Sequence, residues 1–178
     1  MAKIIGLLGP SASGKTAIVN QLLDEDESFC RVKTTTTRLP RENENPDAYD
    51  FVTFEEFTAK KQNGTFFETS VYAGEHYGTP LSTINDIIDN GKIAIVPIDV
   101  NGIKVYKQHF GEEMLALFIY RDKRDVLEAI VERNIPPAEK AKRILSLDKE
   151  YENIVFTDYA IINNGSIDEA VKKIKSLI

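Results

Sequence analysis

The octapeptide GPSASGKT, Gly9 to Thr16, constrains this chain more than any other stretch. It fits the spacing G-x-x-x-x-G-K-[ST], and its flanks fit too. The apolar run KIIGLL, residues 3 to 8, reads as a buried strand, and Ile18, Val19, Leu22 and Leu23 follow at helical spacing. A glycine-bearing turn between strand and helix aims successive backbone N–H groups at one spot, where the helix N-terminus adds about half a positive charge. The stretch therefore predicts a cradle for the phosphates of ATP or GTP, made by Gly9, Ser11, Ala12, Ser13, Gly14, Lys15 and Thr16. Lys15 would reach the β and γ phosphates, and the Thr16 hydroxyl would ligate Mg²⁺. The bland alternative is an ordinary glycine-containing turn. Even an intact loop does not separate a motor from a switch or a kinase.

Further along, KIAIVPID (92 to 99) and MLALFIY (114 to 120) are continuous apolar runs rich in branched residues, as expected of strands covered on both faces. Helical patterns follow each of them, and YAII (159 to 162) supplies one more strand. Asp122 is the expected N-cap of the stripe Val126, Leu127, Ile130 and Val131, while Ser166 with Glu169 predicts a capping box before the last helix. This alternation predicts an α/β fold, a mainly parallel sheet with helices on both faces. Two segments interrupt it. Residues 34 to 79 read as a small antiparallel insert, with strands at YDFV, TFFETSVY and EHYGT and a short helix opened by a Thr53 and Glu56 capping box. Residues 121 to 150 hold four of the seven arginines and are cut by Pro136 and Pro137, so two helices are expected to meet at a bend and form a mobile flap.

Composition narrows the chemistry. A chain of 178 residues, 42% of them hydrophobic, is the size of one domain with a substantial core. A single cysteine, Cys30, excludes an internal disulfide, and two distant histidines, His76 and His109, leave little scope for a transition-metal cluster. The opening residues MAKIIGLLG read as neither a secretory signal nor a membrane span, so a cytoplasmic location is expected. A net charge of -6 argues against general nucleic-acid binding. Against that acidic background, RVKTTTTRLPRE (31 to 42) gathers four cations around four threonines. Arg38 and Arg41, three apart with Pro40 stiffening the chain between them, suit a phosphate monoester, because each guanidinium can grip phosphate through two hydrogen bonds. Read alone, the stretch is equally a solvated charge run.

The segment VKTTTTRLPRENE resembles the S-x-[ST]-T-R-x-P-R-x-x-E segment of guanylate kinases. The likeness continues, in order and over nearly the whole chain, in AYDFV, FFETSVYAGEHYGT, IDVNG and the closing YAIINNGSIDEAVKKIKSLI. The resemblance implies a P-loop kinase fold in a single domain. It would comprise a core (1–33, 92–120, 151–178), a GMP-binding insert (34–91) and a helical lid (121–150). It implies transfer of the γ-phosphoryl group of MgATP to GMP, and to dGMP. Together with the acidic charge and the opening residues, the expectation is a monomer or homodimer that engages neither nucleic acid nor membrane. Arg38, Arg41, Tyr49 and Tyr77 match positions that hold the GMP phosphate. Glu68 matches the acceptor for the guanine N1 and N2 edge, with Thr34, Thr79 and Asp99 completing base recognition. Lys15, Arg41, Arg133 and Arg143 match the groups around the migrating phosphoryl, and Asn163 matches a position near the adenine.

Each assignment has a plainer rival. Glu68 could be an outward strand residue, Tyr49 and Tyr77 core aromatics, Arg133 and Arg143 exposed helix residues. Thr79, ahead of Pro80 and the stripe Leu81, Ile84 and Ile88, also reads as an N-cap with proline at N1. Arg31 and Lys33 precede the matched positions and should only line the strand leading in. The chain departs from the family pattern at Pro97, where an acidic residue is common two before Asp99, at Ala48 in place of aspartate, and at Thr34 in place of serine. A proline there should end or bulge its strand. A same-fold phosphotransferase with another acceptor, or a non-catalytic guanylate-kinase-like binding module, are the alternatives.

Overall fold

The computed structural model of the chain describes residues 2–40, 45, 48–72 and 74–178. The strand that feeds the phosphate loop, β1 (Ile4–Leu8), is the centre of a five-stranded sheet. The order is β2 (Phe29–Arg31), β7 (Ile93–Pro97), β1, β8 (Met114–Tyr120) and β9 (Tyr159–Ile162), with every pairing parallel. The predicted parallel sheet with helices on both faces is what forms. Its apolar runs are continuous because both faces are covered. On one face Ile5 and Leu7 pack with Ile18 and Leu22 of α1 (Lys15–Glu25) and with Val171 and Ile174 of α7 (Ile167–Lys175). On the other, Ile4 and Leu8 join Ile84 and Ile87 of α3 (Leu81–Asp89) and Ile103 and Tyr106 of α4 (Val100–Phe110). Thus α3, inside the stretch 34–91, belongs by its packing to a face of the main sheet. Pro97 is the last residue of β7, opposite Leu7, so the strand ends where the ring removes a ladder donor.

The insert carries its own four-stranded sheet, ordered β4 (Tyr49–Phe51), β3 (Thr34–Thr36), β6 (Glu75–Thr79), β5 (Glu68–Tyr72). The expected antiparallel pairing holds for β5 with β6 and for β3 with β6, but β3 and β4 run parallel, Thr34 opposite Tyr49. Parallel pairing requires a crossover connection of about a dozen residues, and the chain from 37 to 48 is long enough for one. Helix α2 (Phe54–Gln62) opens as expected: Glu56 N donates to Thr53 Oγ1 at 3.2 Å, and Thr53 N donates to Glu56 Oε2 at 2.8 Å.

In residues 121–150 the two expected helices are α5 (Lys123–Glu132), capped by Asp122, and α6 (Pro137–Glu152), entered through Pro136. Two capping expectations need correction. Ser166 accepts from Asp168 N at 3.0 Å and does not form a box with Glu169, whose N–H instead meets the Ser166 carbonyl at 3.2 Å. Thr79 does not cap α3; Pro80 holds that position, and the Thr79 side chain is taken by Glu68. No described helix is long and apolar enough to cross a membrane.

Candidate active site

A cavity of about 670 Å³ lies where the phosphate loop, the insert sheet and the α5–α6 segment meet. That is the size range of small-ligand pockets.

At one end the loop curls through backbone only glycine adopts freely. Gly9 has φ +145° and a Cβ there would lie 2.6 Å from the Ile119 carbonyl oxygen; Gly14, at φ +97°, would set a Cβ 2.3 Å from Asn163 Nδ2. Ala12 is held left-handed at φ 66° despite its side chain, a conformation that costs about 1–2 kcal/mol. Its carbonyl accepts from Arg121 Nη1 at 3.2 Å. Lys15 bends back over the loop and donates to the carbonyls of Gly9 at 2.6 Å and Pro10 at 2.8 Å. Burial of its ammonium lowers its pKa to about 8; Glu150 opposes the shift, while Arg133 and Arg143 add to it. Ser13 Oγ is buried without a hydrogen-bond partner, and Thr16 stands exposed in the cavity wall. Asn163 is placed behind the loop, outside the cavity lining, where its Nδ2 donates to the Ser13 carbonyl at 2.7 Å.

At the other end, Glu68 points into the cavity from β5 and is 8% exposed. Burial pushes its carboxyl up to about 7, against the opposing hydrogen bond from Thr79 Oγ1 at 2.8 Å; nearby Asp99 raises it further. Thr34 Oγ1 lies 3.5 Å from Thr79 Oγ1, so the strand pairing lines up both hydroxyls behind one carboxylate. Asp99 caps α4, accepting Gly102 N at 2.8 Å, and stays in the cavity wall. Arg38 is nearly buried, its guanidinium 5.1 Å from the Tyr49 ring and 5.5 Å from Phe51, while Tyr77 meets Tyr49 edge-on at 6.4 Å. Burial raises the Tyr77 hydroxyl pKa, with Arg38 opposing it. Arg31 does more than line its strand, since its guanidinium also lies over Tyr49, at 5.2 Å. Arg41 lies outside the described residues.

The α5–α6 segment closes the third side. Arg133, just past α5, and Arg143, on α6 and 4% exposed, both donate to Ser11 Oγ, at 3.4 and 2.7 Å. Two arginines, one just past α5 and one on α6, thus converge on one loop hydroxyl. Glu139 fixes Arg143 through Nε at 3.1 Å and Nη2 at 2.5 Å, and the Tyr72 ring supports its guanidinium at 5.4 Å. Sequence reasoning missed Tyr72, Ser146 and Glu150, which also line the cavity. The only signal was periodicity: 143, 146 and 150 share one helix face, which reads the same whether that face meets solvent or a ligand.

The site therefore combines a polyanion cradle, converging arginines and a buried carboxylate beside two threonine hydroxyls. A family model described as guanylate kinase matches residues 1–178. A guanylate kinase of Prochlorococcus marinus subsp. pastoris is 32% identical over 181 residues, spanning 100% of this chain and 97% of its own. One from Clostridium acetobutylicum is 33% identical over 178 residues, spanning 98% and 84%. Among solved structures, guanylate kinase from Anaplasma phagocytophilum superposes with a TM-score of 0.79 at 25% identity, covering 99% of this chain and 84% of that one. With sequence agreement along its whole length and the same P-loop kinase fold, the chain belongs to the guanylate kinase family, whose members are ATP-dependent nucleoside monophosphate kinases.

Proposed function

We propose that this protein transfers the γ-phosphoryl group of MgATP to GMP, and to dGMP, giving ADP and the guanine nucleoside diphosphate. The observation that carries this reading is the position of Glu68, a buried carboxylate in the same cavity as the phosphate loop. Guanine presents two parallel donors, N1–H and the 2-amino group, to such a carboxylate, whereas adenine would set an acceptor against it. Hydrogen-bond readout of that kind discriminates by orders of magnitude more than shape does. Thr79, held on Glu68, with Thr34 and Asp99 beside it, would complete the base site. Arg38, stacked on Tyr49, with Tyr77 and Arg41, would hold the monophosphate.

The loop fits a triphosphate on its own features: left-handed backbone at Ala12 and Gly14, an unpartnered Ser13 hydroxyl and a buried Lys15 ammonium. Asn163 would act by holding the loop from behind. Among the described residues no cluster of three or more His, Cys, Asp or Glu side chains could hold a metal ion. Mg²⁺ would arrive as MgATP, with the Thr16 hydroxyl as its protein ligand. Phosphoryl transfer needs in-line positioning and neutralised charge more than a covalent nucleophile. Lys15, Arg133 and Arg143 supply that charge, and Arg41 would add to it. The chain would work as three parts, a core, an insert and a lid, whose closure excludes water.

A coupled ADP-release assay with ATP and GMP, dGMP, AMP, IMP or CMP tests the reading. GMP and dGMP should stimulate release strongly and AMP weakly. No stimulation by any monophosphate would refute kinase activity, and equal rates with GMP and AMP would refute the role of Glu68.

A further inference from the structure

An anion of the protein's own already sits on the phosphate loop. The Glu150 carboxylate, on α6, accepts the Ser11 main-chain N–H at 3.1 Å and is held there by Ser146 Oγ at 2.5 Å and the Tyr72 hydroxyl at 3.4 Å. Those donors come from the loop, from α6 itself and from β5 of the insert, so one carboxylate joins all three walls of the cavity. Its charge reaches Lys15, where it favours the ammonium. Arg133 and Arg143 meet the hydroxyl of the same Ser11. A carboxylate among loop N–H groups, an ammonium and two guanidinium groups does electrostatically what a phosphate would do there. An incoming phosphate that takes the Ser11 N–H must displace it. If Glu150 stayed in place, a triphosphate beside it would make a like-charge contact in a poorly screened site.

We propose that Glu150 is an internal place-holder for the nucleotide's phosphates. It occupies the cradle through the Ser11 N–H, ties lid and insert to the loop, and gives up that N–H when MgATP binds. The proposal rests on the loop being the ATP site. Its consequence is that Glu150 lowers ATP affinity, acting through charge, and that nucleotide binding frees Tyr72 and with it the insert.

The test is equilibrium titration of the full chain near pH 7 with Mg²⁺ and a β,γ-imido ATP analogue, and separately with inorganic tripolyphosphate. Glu150→Gln keeps the shape and an accepting oxygen but removes the charge; it should bind both probes about tenfold more tightly. Glu150→Asp keeps the charge and should stay within about threefold of the parent protein. Unchanged or weaker binding by Glu150→Gln would overturn the proposal, since a residue that merely braces the lid, or one that helps hold Mg²⁺, would lose affinity. If Glu150→Gln fails to fold, Ser146→Ala, which frees the carboxylate without neutralising it, should still tighten analogue binding about threefold; no tightening overturns the idea. The two readings fail differently. A parent protein that binds neither probe refutes the ATP site itself, whereas equal binding by parent and Glu150→Gln refutes only the place-holder.

Discussion

The two ends of the cavity treat buried charge in opposite ways. At the phosphate end the protein satisfies itself: Lys15 rests on the Gly9 and Pro10 carbonyls, Glu150 on the Ser11 N–H, and Arg133 and Arg143 on the Ser11 hydroxyl. At the other end Glu68 has the Thr79 hydroxyl against its burial and a second carboxylate, Asp99, nearby. On the proposed reading, one end is a cradle filled by the protein's own groups, which a ligand would rearrange, and the other is an acceptor that a ligand with two donors would complete. Both pKa values shift toward the neutral form, Lys15 down to about 8 and Glu68 up to about 7, because burial penalises charge of either sign.

Four outcomes would break or sharpen that contrast. Lys15→Ala should reduce turnover by about 10³-fold, since it removes a preorganised charge from the loop; a variant retaining a tenth of the parent rate would show that the cradle is not the donor site. Glu68→Gln should cut the preference for GMP over AMP by about 10²-fold while leaving ATP affinity intact, as competitive rate measurements would show.

The two ends should also respond oppositely to pH. If Glu68 reads guanine as proposed, then below about pH 7 binding must first release a proton and the KM for GMP should rise up to tenfold per pH unit. If the Lys15 ammonium holds phosphate as proposed, the KM for ATP should rise as pH climbs above about 8. Profiles that move together would dissolve the contrast. The smallest effect is on stability. With a folded pKa above the unfolded value, Glu68 contributes stability that is fully present below about pH 4.5 and lost as pH rises through about 7. Glu68→Gln should therefore gain about 2 kcal/mol more, relative to the parent, at pH 8 than at pH 5; denaturant titrations at both pH values would measure it.

Legibility in the sequence followed the range of the interaction. The capping box at Thr53 and Glu56 is local and forms as expected, as does the strand, loop and helix around Gly9 to Thr16. The rival reading of Thr79 as a cap rests on neighbours that are local, a proline and an apolar stripe, whereas its partner Glu68 comes from the adjacent strand. The parallel pairing of β3 with β4 is invisible in the sequence for the same reason: alternation shows that a strand exists but not which way its neighbour runs.

By itself, the sequence determined the class of fold and the strand, loop and helix around Gly9 to Thr16, because short-range spacing and backbone freedom encode them; the family entered through the resemblance of its ordered motifs. Tertiary structure alone decided what the loop meets. Ser11 finds Glu150 across 139 residues of chain and Arg143 across 132, and Arg38, just past β3, finds the face of Tyr49 on β4. Such contacts depend on how helices and sheets pack after each has formed, and no periodicity within one segment specifies them.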